Sequence, residues 1–453
     1  MKNMTLANIA QACGGVLYGN DNDGREATDV VIDSRKVPEG GVFIATRGER
    51  VDGHDFIPQV AAKGALGVVC EKTPNGEDIP YILVEDSFVA LKKIAQFYRE
   101  QLSVKVVGIT GSVGKTSTKE FIAGVLSQKY SVLKTQGNFN NEVGLPLTVL
   151  SIREDHQVAV LEMGISDFGE MHRLSKIAKP DVCVITNIGQ CHLENLGTRE
   201  GILKAKSEIF DFMNPEGDIF VNGDDDMLSG IKPKTAKGVV HFGMEPSNEI
   251  YASDVINKGL LGSQAVLHLG NYIFSVEIPL PGSHMVYNAL AAAAVGNCLG
   301  LTKEEIKEGI AQVEAVGGRS HVIALSERTI IDDCYNANPV SMKAAIDLLT
   351  MAIGRKVAIL GDMFELGVNE KELHAAVGAY AAEKKIDVLI CVGNLSKNMY
   401  DSACKISTGE VFYFETRDEM LDRIWGLLKL GDNILVKASH GMHFEAVVEA
   451  LQS

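Results

Sequence analysis

The chain has 453 residues, of which 46% are apolar and 23% charged, and its formal net charge is −16 at pH 7. The length favours two to four domains over one. The negative charge argues against nonspecific binding to nucleic acid or to an anionic membrane, because both carry phosphates that would be repelled. It does not exclude a small anionic substrate, which needs only a local positive or metal-bearing cleft.

The eight cysteines form no C-x-x-C pair, which predicts reduced, mostly buried thiols and a cytoplasmic location. The first residues, MKNMTLANIAQACGG, contain no apolar signal core. The most apolar run, ALAAAAVGNCLGL, is too short and too interrupted to cross a bilayer. We therefore expect a soluble cytoplasmic protein without stable membrane insertion, and a monomer.

The first block, residues 1–85, predicts a small N-terminal α/β domain of short strands and turns. In VVIDSRKVPEGGVFIATRG, Pro38 and the pair Gly40 and Gly41 interrupt β-branched runs. A helical stretch, SFVALKKIAQFYREQL, leads out of this block. We assign residues 86–103 to a linker helix.

The second block, residues 104–317, alternates apolar strands such as KVVGIT, VAVLEMG and DVCVITNIG with helical patterns. This alternation predicts a mainly parallel sheet covered by helices. From about residue 250 to 282 the pattern changes to short β runs, which predict antiparallel strands that extend the sheet. The segment MVYNALAAAAVGNCLG predicts a helix that closes the block.

A glycine-rich loop, GITGSVGKTST, joins the first strand of this block to a helix. The strict pattern G-x-x-x-x-G-K-[ST] is not met, because Ile109 stands at the first glycine position. Lys115 would still reach the outer phosphates of a nucleotide, and the Thr116 hydroxyl would ligate Mg²⁺. The alternative is an ordinary glycine-rich turn. We predict an ATP phosphate site made of Thr110, Gly111, Ser112, Val113, Gly114, Lys115, Thr116 and Ser117.

Polar residues follow the neighbouring strands. Glu162 ends VAVLE, at the edge where open α/β sheets bind ligands, and a carboxylate there is a natural Mg²⁺ ligand. His192 follows the next strand and should emerge at the same edge, although a lone histidine is more often structural. The stretch TQGNFNNEVGLPLT carries Asn138, Asn140 and Asn141, which suit either substrate contacts or simple turns.

The stretch TREGILKAKSEIF predicts a helix with Thr198 as its N-cap and Glu200 in its first turn. Lys204 and Lys206 are two positions apart and therefore point to different faces. From this pattern alone, a solvated helix charge is the favoured interpretation of Lys206.

The third block, residues 318–453, alternates strands and helices again and predicts a Rossmann-like α/β domain. Arg319 lies at its junction with the second block, where it could bridge to a γ-phosphate or remain a solvated linker charge. Two α/β domains in series predict an active-site cleft between them.

Three clusters follow strands of this block: DDCYNANPVSM, LGDMFELG and KASHGMHFE. Asn338 followed by proline predicts a helix start. The remaining residues of the first cluster suit contacts to a nucleotide ribose or base, and the last cluster suits a bound ligand. The residues concerned are Asp333, Tyr335, Asn336, Lys437 and Ser439.

These motifs occur in the order found in the Mur ligases, and the chain resembles that family over essentially its whole length. NFNNEVGLPLT and YNANPVSM are similar to the members that join D-alanyl-D-alanine to UDP-N-acetylmuramoyl-tripeptide. The members that add lysine or diaminopimelate would carry a DNP-type motif instead. The stretch DSRKVPEGGVFIATRGERVDGHDFI resembles the uridine-nucleotide domain of both. Two departures are Met285 after His284, and GGRS without the usual preceding proline.

The resemblance implies a three-domain ATP-dependent carboxylate–amine ligase of cytoplasmic peptidoglycan precursor synthesis. ATP would phosphorylate the C-terminal carboxylate of the nucleotide-linked peptide, and the amine of D-alanyl-D-alanine would then displace phosphate. Mg²⁺ would reduce the repulsion between the two anions. The sequence does not decide whether the third peptide residue is lysine or diaminopimelate.

By motif matching, Glu162 and His192 resemble Mg²⁺ ligands, together with Thr116. Lys206 aligns with a lysine that relatives carbamylate, which would make it an anion able to hold a second Mg²⁺. Asn288 and Asn336 resemble contacts to adenine or ribose. The resemblance implies that the catalytic residues are Lys115, Glu162, His192, Lys206 and Arg319. It implies, with the loop composition, substrate contacts at Ser34, Arg35, Asn138, Asn140, Asn141, Lys437 and Ser439.

Two alternatives remain at this point. Another amide ligase, such as a folylpolyglutamate synthase, typically has GKGS where this chain has GKTS and lacks the DSR-type domain. A regulatory P-loop NTPase would release phosphate without an amine substrate and has no obvious need for a third α/β domain.

Overall fold

The computed structural model describes residues 1–19, 24–48, 51–75, 79–233, 237–406 and 409–453. Residues 49 and 50 of the stretch similar to a uridine-nucleotide domain lie outside this range. Within the described residues the chain forms sheets of five, nine and six strands with helices packed against them. The predicted three-domain α/β fold is therefore confirmed. None of the described helices combines the length and apolar character needed to cross a membrane.

The first domain is built on the five-stranded sheet, in the order β1-β5-β4-β3-β2, with only β1 antiparallel to its neighbour. Two short helices in it were not predicted; the first is capped by the Thr5 hydroxyl and by Gly14 in a left-handed conformation. Its elements are α1 (Leu6–Cys13), β1 (Val16–Tyr18), β2 (Val30–Val31), β3 (Val42–Ile44), α2 (Ile57–Ala62), β4 (Gly67–Cys70) and β5 (Tyr81–Leu83).

Helix α3 (Ser87–Glu100) lies between the first and second domains and is packed on both. Its buried face, which includes Ile94 and Tyr98, belongs to one continuous hydrophobic cluster that extends from Met4 in the first domain to Leu228 in the second. The Tyr98 hydroxyl donates to the carbonyl of Ile152, 2.6 Å away. The predicted linker helix therefore fuses two domains through a shared core.

The central domain contains the nine-stranded sheet, in the order β14-β13-β12-β11-β10-β9-β6-β8-β7. Strands β6 to β12 pair in parallel, and β13 and β14 extend the sheet antiparallel, as predicted. Its elements are β6 (Lys105–Thr110), α4 (Lys115–Leu126), β7 (Val132–Lys134), α5 (Gly144–Leu150), β8 (Val158–Glu162), α6 (Glu170–Ala178), β9 (Val182–Ile185), α7 (Leu193–Leu196), α8 (Arg199–Ser207), β10 (Asp218–Asn222), β11 (Val240–Gly243), β12 (Ile250–Asn257), β13 (Ser263–Leu269), β14 (Tyr272–Ile278), α9 (His284–Cys298) and α10 (Lys303–Ala311).

The register of the three middle strands brings polar residues to one edge of this sheet. Ile109 of β6 is paired with Glu162 of β8, and Thr110 is paired with Ile185 of β9. The glycine-rich loop, the carboxylate and the segment after β9 therefore leave the sheet side by side. This is the edge at which parallel α/β sheets bind their ligands.

The third domain contains the six-stranded sheet, in the order β15-β16-β20-β17-β18-β19. All neighbours are parallel except β15, an antiparallel edge strand that was not predicted. Its elements are β15 (His321–Ala324), β16 (Arg328–Asp332), α11 (Pro339–Thr350), β17 (Lys356–Gly361), α12 (Glu370–Glu383), β18 (Val388–Val392), α13 (Lys397–Ala403), β19 (Glu410–Phe414), α14 (Arg417–Arg423), β20 (Asp432–Lys437) and α15 (Glu445–Gln452).

The third domain has its own hydrophobic clusters on the two faces of its sheet. A hairpin tip of the central domain touches it: Leu260 packs against one of these clusters, and the Asn257 amide lies 3.2 Å from the Met351 sulfur. This contact is small compared with the continuous core that joins the first two domains. The third domain is therefore the one best able to move as a unit.

The shared core predicts that the first two domains unfold together. Replacing the fully buried Ile94 by alanine removes packing from both, at a cost of about 2–5 kcal/mol. In differential scanning calorimetry, Ile94→Ala should lower the midpoint temperature of a single transition in which both domains unfold. Val89→Ala, on the exposed side of α3, should leave that temperature unchanged. A separate low-temperature transition of the first domain alone in the unmodified chain would contradict a fused core.

Candidate active site

A cleft of about 640 Å³ lies between the central and third domains. Residues of both domains line it, including most of the polar residues singled out in the sequence. The predicted site residues on its wall are Ser112, Val113, Gly114, Lys115, Ser117, Asn140, Asn141, Glu162, His192, Asn288, Arg319, Asp333, Tyr335, Asn336 and Lys437. The predicted site residues that do not line it are Ser34, Arg35, Thr110, Gly111, Thr116, Asn138, Lys206 and Ser439.

The glycine-rich loop turns sharply between β6 and α4. Gly111 has φ = 148°, and a Cβ there would lie 2.0 Å from the Thr186 hydroxyl oxygen, so no larger residue fits. Gly114 has φ = 83° and precedes the first turn of α4. The Lys115 ammonium donates to the carbonyl of Gly111, 2.8 Å away, and so lies over the loop. The loop thus presents a helix N-terminus and a lysine to the cleft, the groups that bind phosphate.

The end of strand β9 holds the loop in shape. Asn187 accepts the Val113 N–H through Oδ1 at 3.0 Å and donates to the Val113 carbonyl at 2.9 Å. The Thr186 hydroxyl donates to the same carbonyl at 2.7 Å. Asn187 was not singled out in the sequence, although its position after a strand next to the loop is a usable signal. These contacts fix the conformation of the loop through protein groups alone.

Glu162 is the buried carboxylate of the cleft, with 1% of its surface exposed. Its Oε2 accepts the Thr116 hydroxyl at 2.7 Å, and its Oε1 accepts the Asn140 amide at 2.8 Å. A buried carboxylate without a basic partner is costly unless hydrogen bonds or a cation compensate for its charge. The pair of Thr116 and Glu162 therefore suits a divalent cation beside the phosphates, as the sequence predicts.

The three asparagines of the loop before α5 have different surroundings. Asn140 contacts Glu162, whereas Asn141 accepts the N–H groups of Val143 and Gly144 through Oδ1, in the turn that leads into α5. Asn138 is exposed. The turn-forming interpretation therefore describes Asn141, while direct substrate contact stays a prediction for all three.

Lys206 lies inside the central domain on α8 and is 1% exposed, whereas Lys204 is exposed. The interpretation of Lys206 as a solvated helix charge, favoured by the local pattern, is therefore wrong. No ion pair or hydrogen bond to its ammonium group is found within the described residues. Burial lowers the pKa of Lys206 to about 8, and the nearby charge of Lys115 acts in the same direction. A substantial fraction of this amine is therefore neutral near physiological pH.

His192 joins the two domains. Its Nδ1 lies 2.8 Å from Oε2 of Glu365, which belongs to the LGDMFELG segment of the third domain. The His192 ring lowers the pKa of the Glu365 carboxyl. His192 was predicted at this edge of the sheet, but its partner was not, because the pairing depends on how the two domains dock.

The strand ends of the third domain form a connected polar cluster. The Lys437 ammonium donates to Oδ2 of Asp333 at 2.6 Å and to the carbonyl of Asn336 at 2.9 Å. Ser439 is buried, and its hydroxyl accepts the N–H of Phe364 at 2.9 Å. Lys437 therefore organises this wall of the cleft, while Ser439 supports the neighbouring loop from within the domain. Their predicted contacts to substrate stay predictions.

The segment that connects the central and third domains is fastened to the third domain. The N–H groups of Gly318 and Ser320 donate to the carboxylates of Asp332 and Asp333, at 2.7 and 2.8 Å. The Arg319 guanidinium lies 4.0 Å from the centre of the Tyr335 ring, in a cation–π contact. Arg319 thus moves with the third domain, and any hinge must lie before residue 318.

Helix α9 contributes His284, Tyr287 and Asn288 to the wall of the cleft, and the predicted contact of Asn288 to adenine or ribose stays a prediction. Asn288 is buried and its Oδ1 accepts the Thr118 hydroxyl at 2.9 Å, which ties α9 to the helix that follows the phosphate loop. Tyr287 donates to Asp224 at 3.0 Å, and both desolvation and that carboxylate raise its pKa. Burial lowers the pKa of His284, which keeps its ring neutral. Tyr287 and Asp224 were missed because their pairing joins distant segments.

Ser34 and Arg35 lie in the first domain, away from the cleft wall. Arg35 donates to both carboxylate oxygens of Asp33 at 2.9 Å, and this contact lowers the pKa of Asp33 to about 2. Ser34 is buried, and its carbonyl accepts the Lys63 ammonium. The predicted uridine contacts of Ser34 and Arg35 stay predictions.

Three family models match the chain in succession. Residues 26–111 match the model described as Mur ligase family, catalytic domain. Residues 109–296 match the Mur ligase middle domain. Residues 318–440 match the Mur ligase, glutamate ligase domain.

Several relatives are similar to this chain over most or all of its length. The UDP-N-acetylmuramoyl-tripeptide--D-alanyl-D-alanine ligase of Bacillus subtilis (strain 168) is 38% identical, over 99% of this chain and 98% of the relative. A crystal structure of MurF from Acinetobacter baumannii is 33% identical, covers 99% of both chains and has a TM-score of 0.88. The MurF ligase of Thermotoga maritima in complex with ADP is 32% identical, covers 94% of this chain and 97% of that one, and has a TM-score of 0.83.

The contacts of Asn187 predict that it preorganises the phosphate loop. Asn187→Ala removes the partner of the Val113 N–H and one of the two donors to the Val113 carbonyl, so the loop is held less firmly in the conformation that binds phosphate. In isothermal titration calorimetry the affinity for ADP should fall about tenfold, which is the loss expected for about one hydrogen bond. Asn394→Ala, at an exposed position of the third domain, is the control. Equal ADP affinity in both variants would contradict this role.

Proposed function

The chain belongs to the Mur ligase family, and we propose that it joins D-alanyl-D-alanine to the C-terminal carboxylate of UDP-N-acetylmuramoyl-tripeptide, with conversion of ATP to ADP and phosphate. The observation that carries the proposal is a full-length identity of 38% to an enzyme named for this reaction. The cleft supplies the physical support, since a phosphate loop and a buried carboxylate face a polar wall contributed by another domain.

The reaction has two steps that the cleft can accommodate. An oxygen of the peptide carboxylate attacks the γ-phosphorus of ATP, and the bond to the leaving ADP breaks. The amine of the dipeptide then attacks the carbonyl carbon of the acyl phosphate, and phosphate leaves with the oxygen that came from the carboxylate. The amine loses one proton as the amide forms.

The residues around the loop supply binding and charge compensation for the first step. The N-terminus of α4 and Lys115 bind the phosphates of ATP. Arg319, carried by the third domain, adds positive charge opposite the loop. Because these groups are fixed before the reaction, they stabilise the developing charge without reorganising.

Magnesium fits the oxygens beside the loop. Thr116 and Glu162 form a buried hydroxyl–carboxylate pair, and no group of three or more His, Cys, Asp or Glu side chains suited to a metal occurs among the described residues. Mg²⁺ is usually bound through one or two protein carboxylates together with phosphate oxygens and water. Thr116, Glu162 and His192 would hold it, and it would offset the charge of the phosphates.

Lys206 supports a further element of the proposal. The neutral fraction of a buried amine can attack CO₂, lose a proton and become a carbamate, which would hold a second Mg²⁺. Burial without an anionic partner favours this change, because the lowered pKa exposes a lone pair on nitrogen.

The rival functions fit less well. A regulatory NTPase does not require a domain such as the first one, which shares a hydrophobic core with the ATP-binding domain and is therefore an integral part of the molecule. A folylpolyglutamate synthase is disfavoured by the identity to D-alanyl-D-alanine-adding relatives over the whole chain, first domain included.

We also propose that the protein acts in the cytoplasm, where its eight free thiols stay reduced. We further propose that it is a monomer of 48.8 kDa, which light scattering would check.

The ligase activity is tested with pure protein, Mg²⁺ and ATP, with the nucleotide-linked tripeptide and the dipeptide added singly and together. Phosphate release should require both, and the nucleotide-peptide should gain the mass of one dipeptide residue. Parallel reactions with lysine- and diaminopimelate-containing tripeptides would identify the natural third residue. Phosphate release that does not depend on the dipeptide would rule out the ligase.

The carbamate is tested with Lys206→Ala and, as a control, Lys204→Ala. Activity of the first variant should fall by at least tenfold and return in part with formate or acetate, which replace the missing carboxylate. At fixed CO₂, carbamate formation in the unmodified protein should increase as pH rises through about 8, because the neutral amine is the reactive form. If the unmodified protein shows no ¹³C-carbamate signal and Lys206→Ala keeps full activity, Lys206 does not act as a carbamate.

A further inference from the structure

The LGDMFELG segment carries two carboxylates with different surroundings. Asp362 is buried and accepts two hydrogen bonds from Ser396, one from the N–H at 2.7 Å and one from the hydroxyl at 2.6 Å. The charge of Asp362 is therefore compensated inside the third domain. Glu365 projects from the domain instead, with its side chain 61% exposed, and meets His192 of the central domain. Asp362 stabilises the fold of the loop through Ser396, whereas the charged partner of Glu365 is His192 of the central domain.

The contact between His192 and Glu365 requires unusual backbone conformations and a close approach of the two segments. Both residues adopt left-handed backbone conformations, with φ of 53° and 61°, which cost non-glycine residues of the order of 1 kcal/mol each. Their segments approach closely, since a Cβ on Gly367 would lie 3.7 Å from the Cα of Glu194. An exposed ion pair adds little stability on its own. The contact is therefore better explained by what it does to the histidine than by stability.

A carboxylate at Nδ1 selects one state of an imidazole ring. In the neutral ring, the nitrogen that faces the carboxylate carries the proton, and the other nitrogen keeps a free lone pair. The same arrangement orients metal-ligating histidines in many proteins, where loss of the carboxylate reduces metal affinity or activity by about 10–100-fold. His192 and Glu162 both line the cleft.

We propose that Glu365 is a positioning residue: it reaches from the third domain to orient His192 as a ligand of the divalent cation. The cation site is then complete only when the third domain is docked on the central one. This inference rests on the proposed function, in which His192 contributes to the cation site. It assigns to the third domain a part in metal binding as well as in substrate binding.

The test measures Mn²⁺ affinity by electron paramagnetic resonance on the full-length protein with ADP present. Glu365→Gln keeps the size of the side chain and removes its charge, and should weaken Mn²⁺ binding about tenfold. Glu372→Gln, an exposed glutamate on α12 of the same domain, should leave it unchanged. In a His192→Gln background, Glu365→Gln should have no further effect, because its partner is gone. Unfolding temperatures of all variants verify that they are folded.

Three results would overturn the inference. Glu365→Gln could bind Mn²⁺ as Glu372→Gln does, or it could weaken binding equally with and without His192. It could also raise only the KM for D-alanyl-D-alanine, which would make Glu365 a contact for the amine. Failure of the proposed function is recognised separately, since the unmodified protein would then lack dipeptide-dependent ligation altogether.

Discussion

The whole cleft depends on three neighbouring parallel strands that end at one edge of the central sheet. Strand β6 leads into the phosphate loop, β8 ends in Glu162, and β9 leads to Asn187. Because parallel strands in register bring their carboxyl ends together, residues distant in sequence become neighbours without any long loop. Glu162 can thus accept the hydroxyl of Thr116 from a buried position. The groups of the site are attached to the ends of the strands, which suits a reaction in which preorganised groups stabilise the developing charge.

The distribution of hydrophobic cores divides the molecule into a fixed part and a movable part. The first two domains share one cluster through α3, so a nucleotide-linked substrate held by the first would keep its place relative to the phosphate loop. The third domain has separate cores and carries Arg319 with it. Its contacts with the central domain include the packing of Leu260 and the pair of His192 and Glu365. Such an arrangement allows substrates to enter and charges to assemble when the domains meet.

Secondary structure that depends on local sequence pattern could be predicted. Contacts that depend on how distant segments and domains pack together could not. The alternation of strands and helices in the second and third blocks predicted their sheets, and Asn338 before proline predicted the start of α11, which the structure confirms. Helices α1 and α2 are too short to give a clear periodic signal. Burial of Lys206 was missed because the spacing of Lys204 and Lys206 places them on different faces of α8 but does not show which face is buried. The partners of Val113 and His192 come from distant segments or another domain, so no local spacing could reveal them.

The central claim is that the cleft passes the terminal phosphate of ATP to a peptide carboxylate and not to water. Its most direct test uses UDP-N-acetylmuramoyl-tripeptide labelled with ¹⁸O in the terminal carboxylate, in a complete reaction with ATP, Mg²⁺ and D-alanyl-D-alanine. Mass spectrometry of the released phosphate should find one ¹⁸O atom in each phosphate, because the carboxylate oxygen leaves with phosphorus when the amide forms. Phosphate free of ¹⁸O would contradict the acyl phosphate and the account built on it.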